Sequence, residues 1–187
     1  VMNKHTQRMN LLIDDLLTIS KLEYRATPLS FQRTDLREVL DHAIEQLEPA
    51  IRESGSVIEI TFPLASALVE GDFRRIEQVY LNLLTNALQY GAQANPKIEI
   101  SATREKNNVV IGIKDNGPGI PLEDQPHIFE RFYRVHKDRS RDAGGTGLGL
   151  SIVKNIILAH GGEVSVESTP GEGAKFCFGL PISQQAV

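Results

Sequence analysis

The chain has 187 residues, 41% of them apolar, with 20 basic against 24 acidic side chains and a formal charge of −4. The length suits one domain plus an appendage, and the apolar share supports a sizeable core. The acidic balance argues against a nucleic-acid or anionic-membrane binder. No stretch reaches the ~20 apolar residues of a bilayer-spanning helix, and no signal peptide opens the chain. A soluble product is therefore expected, with any membrane attachment supplied by segments outside these residues.

Residues 2–22 read as a helix with a heptad seam, because Met2, His5, Met9, Leu12, Leu16 and Ile19 recur at spacings of three and four. Ile13 and Leu17 widen the seam. Such a face needs partner helices in a dimeric bundle, or else the body of its own domain. Arg25 to Pro28 reads as a linker, since the residue before a proline is disfavoured in helix. Leu29–Arg33 follows as a short strand. Asp35, with Glu38 three residues on, opens a helix that runs to Ser54 and ends at Gly55. Val57–Phe62 alternates as a strand does. Asp72 caps a second helix to Tyr90, closed by Gly91. Strands at 97–104 and 108–115 flank a polar turn, and 116–146 is a long loop rich in Gly, Pro and charge. A third helix spans Leu148–His160, and strands near 163–168 and 174–180 complete the domain. The single cysteine, Cys177, lies in the last of these and reads as a small apolar residue. The expected class is α+β, a two-layer sandwich of three helices on one face of a mixed sheet of about five strands, preceded by one long bundle helix.

Three segments carry chemistry. Alternation places Asp115 on the same face as Ile111 and Ile113, where a carboxylate must find donors or lose several kcal/mol. Gly117 and Gly119 follow it and let backbone approach a ligand, so the segment suits the amino group of a purine; a turn with a capped aspartate is the plainer alternative. Asn82 and Asn86 lie four apart at the edge of a stripe formed by Ile76, Tyr80, Leu83, Leu84, Ala87 and Leu88. Amide oxygens are hard neutral ligands for Mg²⁺ beside phosphates, although solvated asparagines fit the same pattern. Gly144-Gly145-Thr146-Gly147-Leu148-Gly149-Leu150-Ser151 then opens a helix. Alternate glycines and a helix N-terminus favour an anion, yet the segment is neither a Walker loop, which needs Lys-Ser or Lys-Thr after its last glycine, nor a Rossmann turn directly after a strand.

Taken in order, Asn-Leu-Leu-Thr-Asn-Ala (82–87), Asp-Asn-Gly-Pro-Gly-Ile-Pro (115–121), Ile-Phe-Glu-Arg-Phe-Tyr-Arg (128–134) and Gly-Thr-Gly-Leu-Gly-Leu-Ser-Ile-Val (145–153) resemble the N box, first glycine box, F box and second glycine box of sensor histidine kinases. The resemblance covers about residues 1–182. It implies a Bergerat-type ATP site of the superfamily shared with gyrase, chaperone and mismatch-repair ATPases. On that pattern Asp115 takes the adenine amino group with Gly117, Gly119 and Ile120 alongside, and Tyr90 is an adenine-side aromatic. Asn86 coordinates Mg²⁺, and Asn82 lies by the phosphates or the metal. The backbone of Gly145, Thr146, Gly147, Leu148 and Gly149 holds the phosphates. Phe129 and Phe132 resemble anchors of a mobile lid, or are simply core. Arg131 or Arg134 approaches the γ-phosphate, or is a surface charge. The resemblance further implies a domain plan of residues 1–24 as the second bundle helix, 25–28 as linker, 29–182 as the ATP-binding catalytic domain and 183–187 as a tail.

Two departures qualify this. A lysine commonly found three residues after the metal asparagine is Gln89 here, which hydrogen-bonds a phosphate but does not neutralise it. The acid-flanked phospho-acceptor histidine of the family is also missing, for none of His5, His42, His127, His136 or His160 has the required neighbours. The implied activity is that of a protein-histidine kinase domain that binds Mg-ATP and presents the γ-phosphoryl to an imidazole supplied elsewhere. A response-regulator receiver domain would be the downstream partner. The implied setting is the cytoplasmic part of an inner-membrane sensor, dimeric through the bundle. A nucleotide-binding module with weakened catalysis is the alternative that Gln89 keeps open. A stand-alone ATPase is disfavoured because its glutamate base would stand where Asn82 does.

Overall fold

The computed structural model describes residues 28–63, 67–92, 94–135 and 146–183, together with Ile13, Leu16, Leu17 and Ser20. Those four are helical and exposed; the rest of the predicted bundle helix, including His5, lies outside the described residues. The elements run β1 (Gln32–Asp35), α1 (Leu36–Ser54), β2 (Val57–Thr61), β3 (Leu68–Gly71), α2 (Phe73–Tyr90), β4 (Lys97–Glu105), β5 (Asn108–Asp115), α3 (Gly149–Ala159), β6 (Glu163–Ser168) and β7 (Ala174–Pro181).

The main sheet has five strands in the order β2-β4-β5-β7-β6. Only β2 and β4 pair in parallel, joined through the crossover that contains α2. The other neighbours are antiparallel, so the sheet is mixed, as expected. Two details differ from the sequence reading. The first strand lies at Gln32–Asp35 rather than 29–33, and it joins no neighbour in the main sheet. It pairs instead with β3, a four-residue strand that the sequence did not reveal, in a separate two-stranded sheet. Leu-Val-Glu-Gly is too short to display alternation, and its paired residues lie 33–39 positions away in sequence, so no local signal marks it.

Helix boundaries follow their caps. The Asp35 side chain accepts from the Arg37 N–H at 2.9 Å, and Gly55 ends α1 in the left-handed region at φ 67°. Asp72 accepts from the Arg75 N–H at 3.2 Å and starts α2. Along α2, Ile76, Val79, Tyr80, Leu83, Leu84 and Ala87 are buried at helical spacing, which keeps one face against the sheet between α1 and α3. Full burial of each large aliphatic side chain contributes about 1.5–3 kcal/mol. Tyr80 is wholly buried; its hydroxyl donates to the Leu36 carbonyl at 3.1 Å and its ring meets Phe178 edge-on. The sheet contributes Ile98, Ile100, Ile111, Ile113, Phe178 and Leu180 to the same core.

His160 ties α3 to α2. Its Nδ1 lies 2.7 Å from the Ile156 carbonyl, and its Nε2 accepts from the Asp72 N–H at 3.0 Å. These partners fit only the neutral ring, because a protonated Nε2 would turn a donor toward a donor. Burial holds the His160 pKa below the usual histidine value, against the smaller opposing pull of the Ile156 carbonyl and of Asp72. A depressed folded-state pKa means that the unfolded chain binds the proton more readily. The stability it supports is thus complete above the ordinary value near 6.5 and declines as pH falls below that toward the folded pKa. Urea unfolding at pH 7.5 and 5.5 should show this loss in the parent chain, and His160→Gln should flatten that slope while costing roughly 1 kcal/mol at pH 7.5.

Candidate functional site

β5 is the middle strand of the sheet, and Asp115 is its last residue. The alternation predicted for this strand holds: Ile111 and Ile113 are buried on the helix-facing side and Asp115, 5% exposed, continues that face. Its Oδ1 accepts from the Gly117 N–H at 2.8 Å, so this buried carboxylate caps the turn that follows it. Burial pushes the Asp115 pKa up, while backbone N–H groups of Gly117 and Ala174 pull it down. Ala174 opens β7 and was not foreseen as a neighbour, since nothing local links it to residue 115.

The loop after Asp115 is fixed by contacts that tolerate no side chain. A Cβ on Gly117 would stand 2.1 Å from the Tyr90 carbonyl oxygen, so the loop lies directly against the C-terminus of α2. Gly119 has φ 73°, and a Cβ there would meet the Thr169 carbonyl oxygen at 2.2 Å. Asn116 anchors the same loop to β4, accepting from the Lys97 N–H and donating to the Asn95 carbonyl, each at 2.9 Å. Ile120 is half-buried at the loop's end, and the Tyr90 side chain is exposed.

At the other end of the same stretch of α2, Asn82 Nδ2 donates to the Gly149 carbonyl at 3.2 Å, which joins α2 to the start of α3. Asn86 is half-buried one turn further on, between the Asn82 contact and the Tyr90 contact. The segment 82–90 therefore runs about 12 Å from the glycine-rich helix start to the Asp115 loop. Among the described residues no side chain caps α3, so its first-turn N–H groups lack a partner of that kind. The Leu148 N–H is an exception in being met by Thr146 Oγ1 at 3.2 Å. Gly147 has φ 73°, and a Cβ on Gly149 would stand in ordinary contact with the Asn82 side chain, 3.8 Å from its Cγ. Gly145 lies outside the described residues. Among the described residues there is no group of three or more His, Cys, Asp or Glu side chains fit to hold a metal.

The side chain of Leu148 is fully buried in the core, so only its backbone can face a ligand. One expectation needs correction. Phe132 is no anchor: it is 58% exposed and held at φ 62°, with its N–H donating to the Gly147 carbonyl at 2.9 Å. A bulky residue in this region is strained, and here the backbone clasp on Gly147 sets its conformation. The anchoring falls to Ile128, which is buried, and to Phe129, whose ring meets Phe176 edge-on at 6.5 Å. Arg131 is exposed and Arg134 half-buried on the segment that follows.

Comparison with known proteins agrees with this geometry. A family model described as histidine kinase-, DNA gyrase B-, and HSP90-like ATPase matches residues 71–184. The phytochrome-like protein Cph1 of Synechocystis sp. is 39% identical over 175 residues, 93% of this chain and 22% of that protein. The sensor histidine kinase RppB of the same organism is 38% identical across 94% of this chain and 38% of its own length. The sensor protein kinase WalK of Staphylococcus haemolyticus is 36% identical, with 97% and 30% covered. The chain thus spans well under half the length of these relatives. Among solved structures, the Acinetobacter baumannii histidine kinase AdeS superposes with a TM-score of 0.78 at 28% identity, covering 96% of this chain and 81% of that one. Full-length ShkA in complex with AMPPNP gives 0.79 at 31% identity, covering 94% and 36%. A family model over more than half the chain, and several relatives above 30% identity, establish the family: the chain belongs to the histidine kinase-, gyrase B- and HSP90-like ATPases, as a catalytic domain of the sensor histidine kinase type.

Proposed function

We propose that residues 29–182 bind Mg-ATP along α2 and donate its γ-phosphoryl to a histidine on a bundle helix outside residues 1–187. The observation that carries this reading is the pairing of opposites at the two ends of segment 82–90. A desolvated carboxylate closes one end, and an uncapped helix N-terminus opens the other. A nucleoside triphosphate has the same polarity, with an amine-bearing base at one end and anionic phosphates at the other. ShkA, crystallised with AMPPNP, supports the reading by likeness.

On this reading Asp115 accepts from the adenine amino group, with the backbone of Gly117, Gly119 and Ile120 beside the ring and Tyr90 against its face. The backbone of Gly145, Thr146, Gly147, Leu148 and Gly149 and the first turn of α3 hold the phosphates. Arg131 and Arg134 approach the γ-phosphate. Asn86 and Asn82 would hold Mg²⁺ through amide oxygens; Asn82 suits this because its nitrogen is occupied by the Gly149 carbonyl, which leaves the oxygen as the open donor. Mg²⁺, when bound, neutralises phosphate charge and orients the γ-phosphoryl. The chain's own contribution is position: phosphoryl transfer needs alignment and charge stabilisation more than a covalent protein group. Onward transfer to a response-regulator receiver domain follows the precedent of ThkA, solved in complex with the response regulator TrrA. Dimerisation through the helix that includes Leu16 and Leu17, and a cytoplasmic location beneath an inner-membrane sensor, complete the proposal.

Titration calorimetry with Mg-ATP tests it directly. The parent chain should bind, and Asp115→Asn, which keeps shape but reverses half of the hydrogen-bonding character, should weaken binding at least tenfold without loss of thermal stability. Asn86→Ala should bind ATP equally well with and without Mg²⁺. A separate acceptor helix carrying an acid-flanked histidine should become labelled from γ-³²P-ATP; steady hydrolysis with no labelling would overturn the kinase reading. Gln89→Lys should tighten ATP binding by up to about tenfold, since a cation beside the phosphates replaces a neutral amide, and unchanged affinity would refute that role for position 89.

A further inference from the structure

Both polar groups of the Ile120 backbone are held by side chains from elsewhere in the fold. The Ile120 N–H donates to Ser168 Oγ at 2.8 Å, and the Ile120 carbonyl accepts from Gln125 Nε2 at 2.9 Å. Gln125 Nε2 donates a second bond to the Ser168 carbonyl at 2.8 Å, and Ser168 Oγ passes its own proton to the Gly173 carbonyl at 2.7 Å. These four bonds close a circuit through three separate pieces of chain. They are the Asp115–Ile120 loop, the turn segment that begins at Pro121, and the β6–β7 turn at 169–173.

Backbone contacts run alongside the circuit. The Gly171 N–H donates to the Pro118 carbonyl at 2.6 Å. The Gly119 Cα is pressed on the Thr169 carbonyl and the Gly173 Cα on the Asp115 carbonyl, where a Cβ would stand at 2.2 and 2.0 Å. The loop is therefore cast against the β6–β7 turn along its whole length. Gln125 and Ser168 fasten the end opposite Asp115. Each uses its full donor capacity on carbonyls that are partly withdrawn from water, so neither bond is readily replaced by solvent.

We propose that Gln125 and Ser168 are positioning residues that set base selectivity at this nucleotide site. The inference rests on the reading of Asp115 as acceptor of the adenine amino group. Guanine presents a carbonyl oxygen where adenine presents that amine, so a fixed carboxylate faces acceptor with acceptor and rejects it. Rejection requires a loop that cannot shift to relieve the clash. The circuit through Ile120 supplies that rigidity, at positions that the ATP-binding assignment does not use.

The test compares binding of Mg-ATP, Mg-GTP and Mg-tripolyphosphate by calorimetry, with thermal unfolding of each ligand-free protein alongside. Gln125→Met keeps bulk and removes the donors, Ser168→Ala removes the hydroxyl, and Ser168→Thr restores it. The expected result is a fall of about tenfold in the ATP:GTP affinity ratio for Gln125→Met and Ser168→Ala. Tripolyphosphate binding should stay at the parent level, and Ser168→Thr should keep the parent ratio. A parent ratio in folded Gln125→Met overturns the proposal, as does an equal loss for all three ligands or a Gln125→Met chain that fails to fold, since each of these describes general support of the fold. Should Ser168→Ala alone fail to fold, Gln125→Met decides. Failure of the parent chain to bind Mg-ATP would be a different result, for it removes the nucleotide reading itself.

Discussion

A carboxylate at the end of a buried strand is the constraint from which much of this architecture follows. Asp115 leaves water at the edge of the apolar layer, and burial alone would drive its proton on. Keeping a useful acceptor there requires N–H groups, and these come from two directions: Gly117, immediately ahead, and Ala174, at the start of β7. The first demands a tight turn directly against the end of α2. The second demands that β7 begin beside the end of β5, which the antiparallel register delivers, with Lys114 opposite Lys175. The turn at 169–173 then has little freedom, because Gly173 already touches the Asp115 carbonyl. One desolvated group thus fixes a loop, a helix end and a hairpin.

The same helix serves the core and the candidate site. The buried stripe of α2 from Ile76 to Ala87 holds it between α1 and α3, and that placement carries Asn82 to Gly149 and Tyr90 to Gly117. Positioning here is a by-product of packing. A change that rotated α2 would disturb the Asn82–Gly149 and Tyr90–Gly117 contacts together, so the polar residues of this segment inherit their precision from the apolar ones.

How much was legible in the sequence depended on range. Caps at Asp35, Asp72 and Gly55, the α2 stripe and the alternation of β5 are local patterns, and each reappears in the fold. The four boxes were legible because their residues are contiguous, and so the parts of the site were visible before their assembly was. What escaped depends on partners distant in sequence. β3 acquires meaning only from β1, Ser168 only from a loop 48 residues earlier, and Ala174 only from the register of two strands. Phe132 departs from its expectation for a related reason. Composition shows that a residue is apolar, but whether it faces core or solvent at an irregular turn depends on the backbone around it, as the Gly147 clasp on Phe132 illustrates.

The small β1–β3 sheet has a mechanical meaning. β1 begins just after the predicted linker, and its Ser30 neighbour donates its N–H to Asp72 Oδ2, the carboxylate that caps α2. β3, the partner of β1, ends at Gly71 beside that same cap, and the far end of the chain returns to it through the Val69–Ile182 bridge and the Ser183 N–H to Leu68 bond. Tension applied at residues 28–30 accordingly acts in shear on a two-stranded ribbon and reaches the N-terminus of α2 directly, with the five-stranded sheet off the shortest path. Residues 28–30 are thereby tied to the start of the helix that carries Asn82, Asn86 and Tyr90.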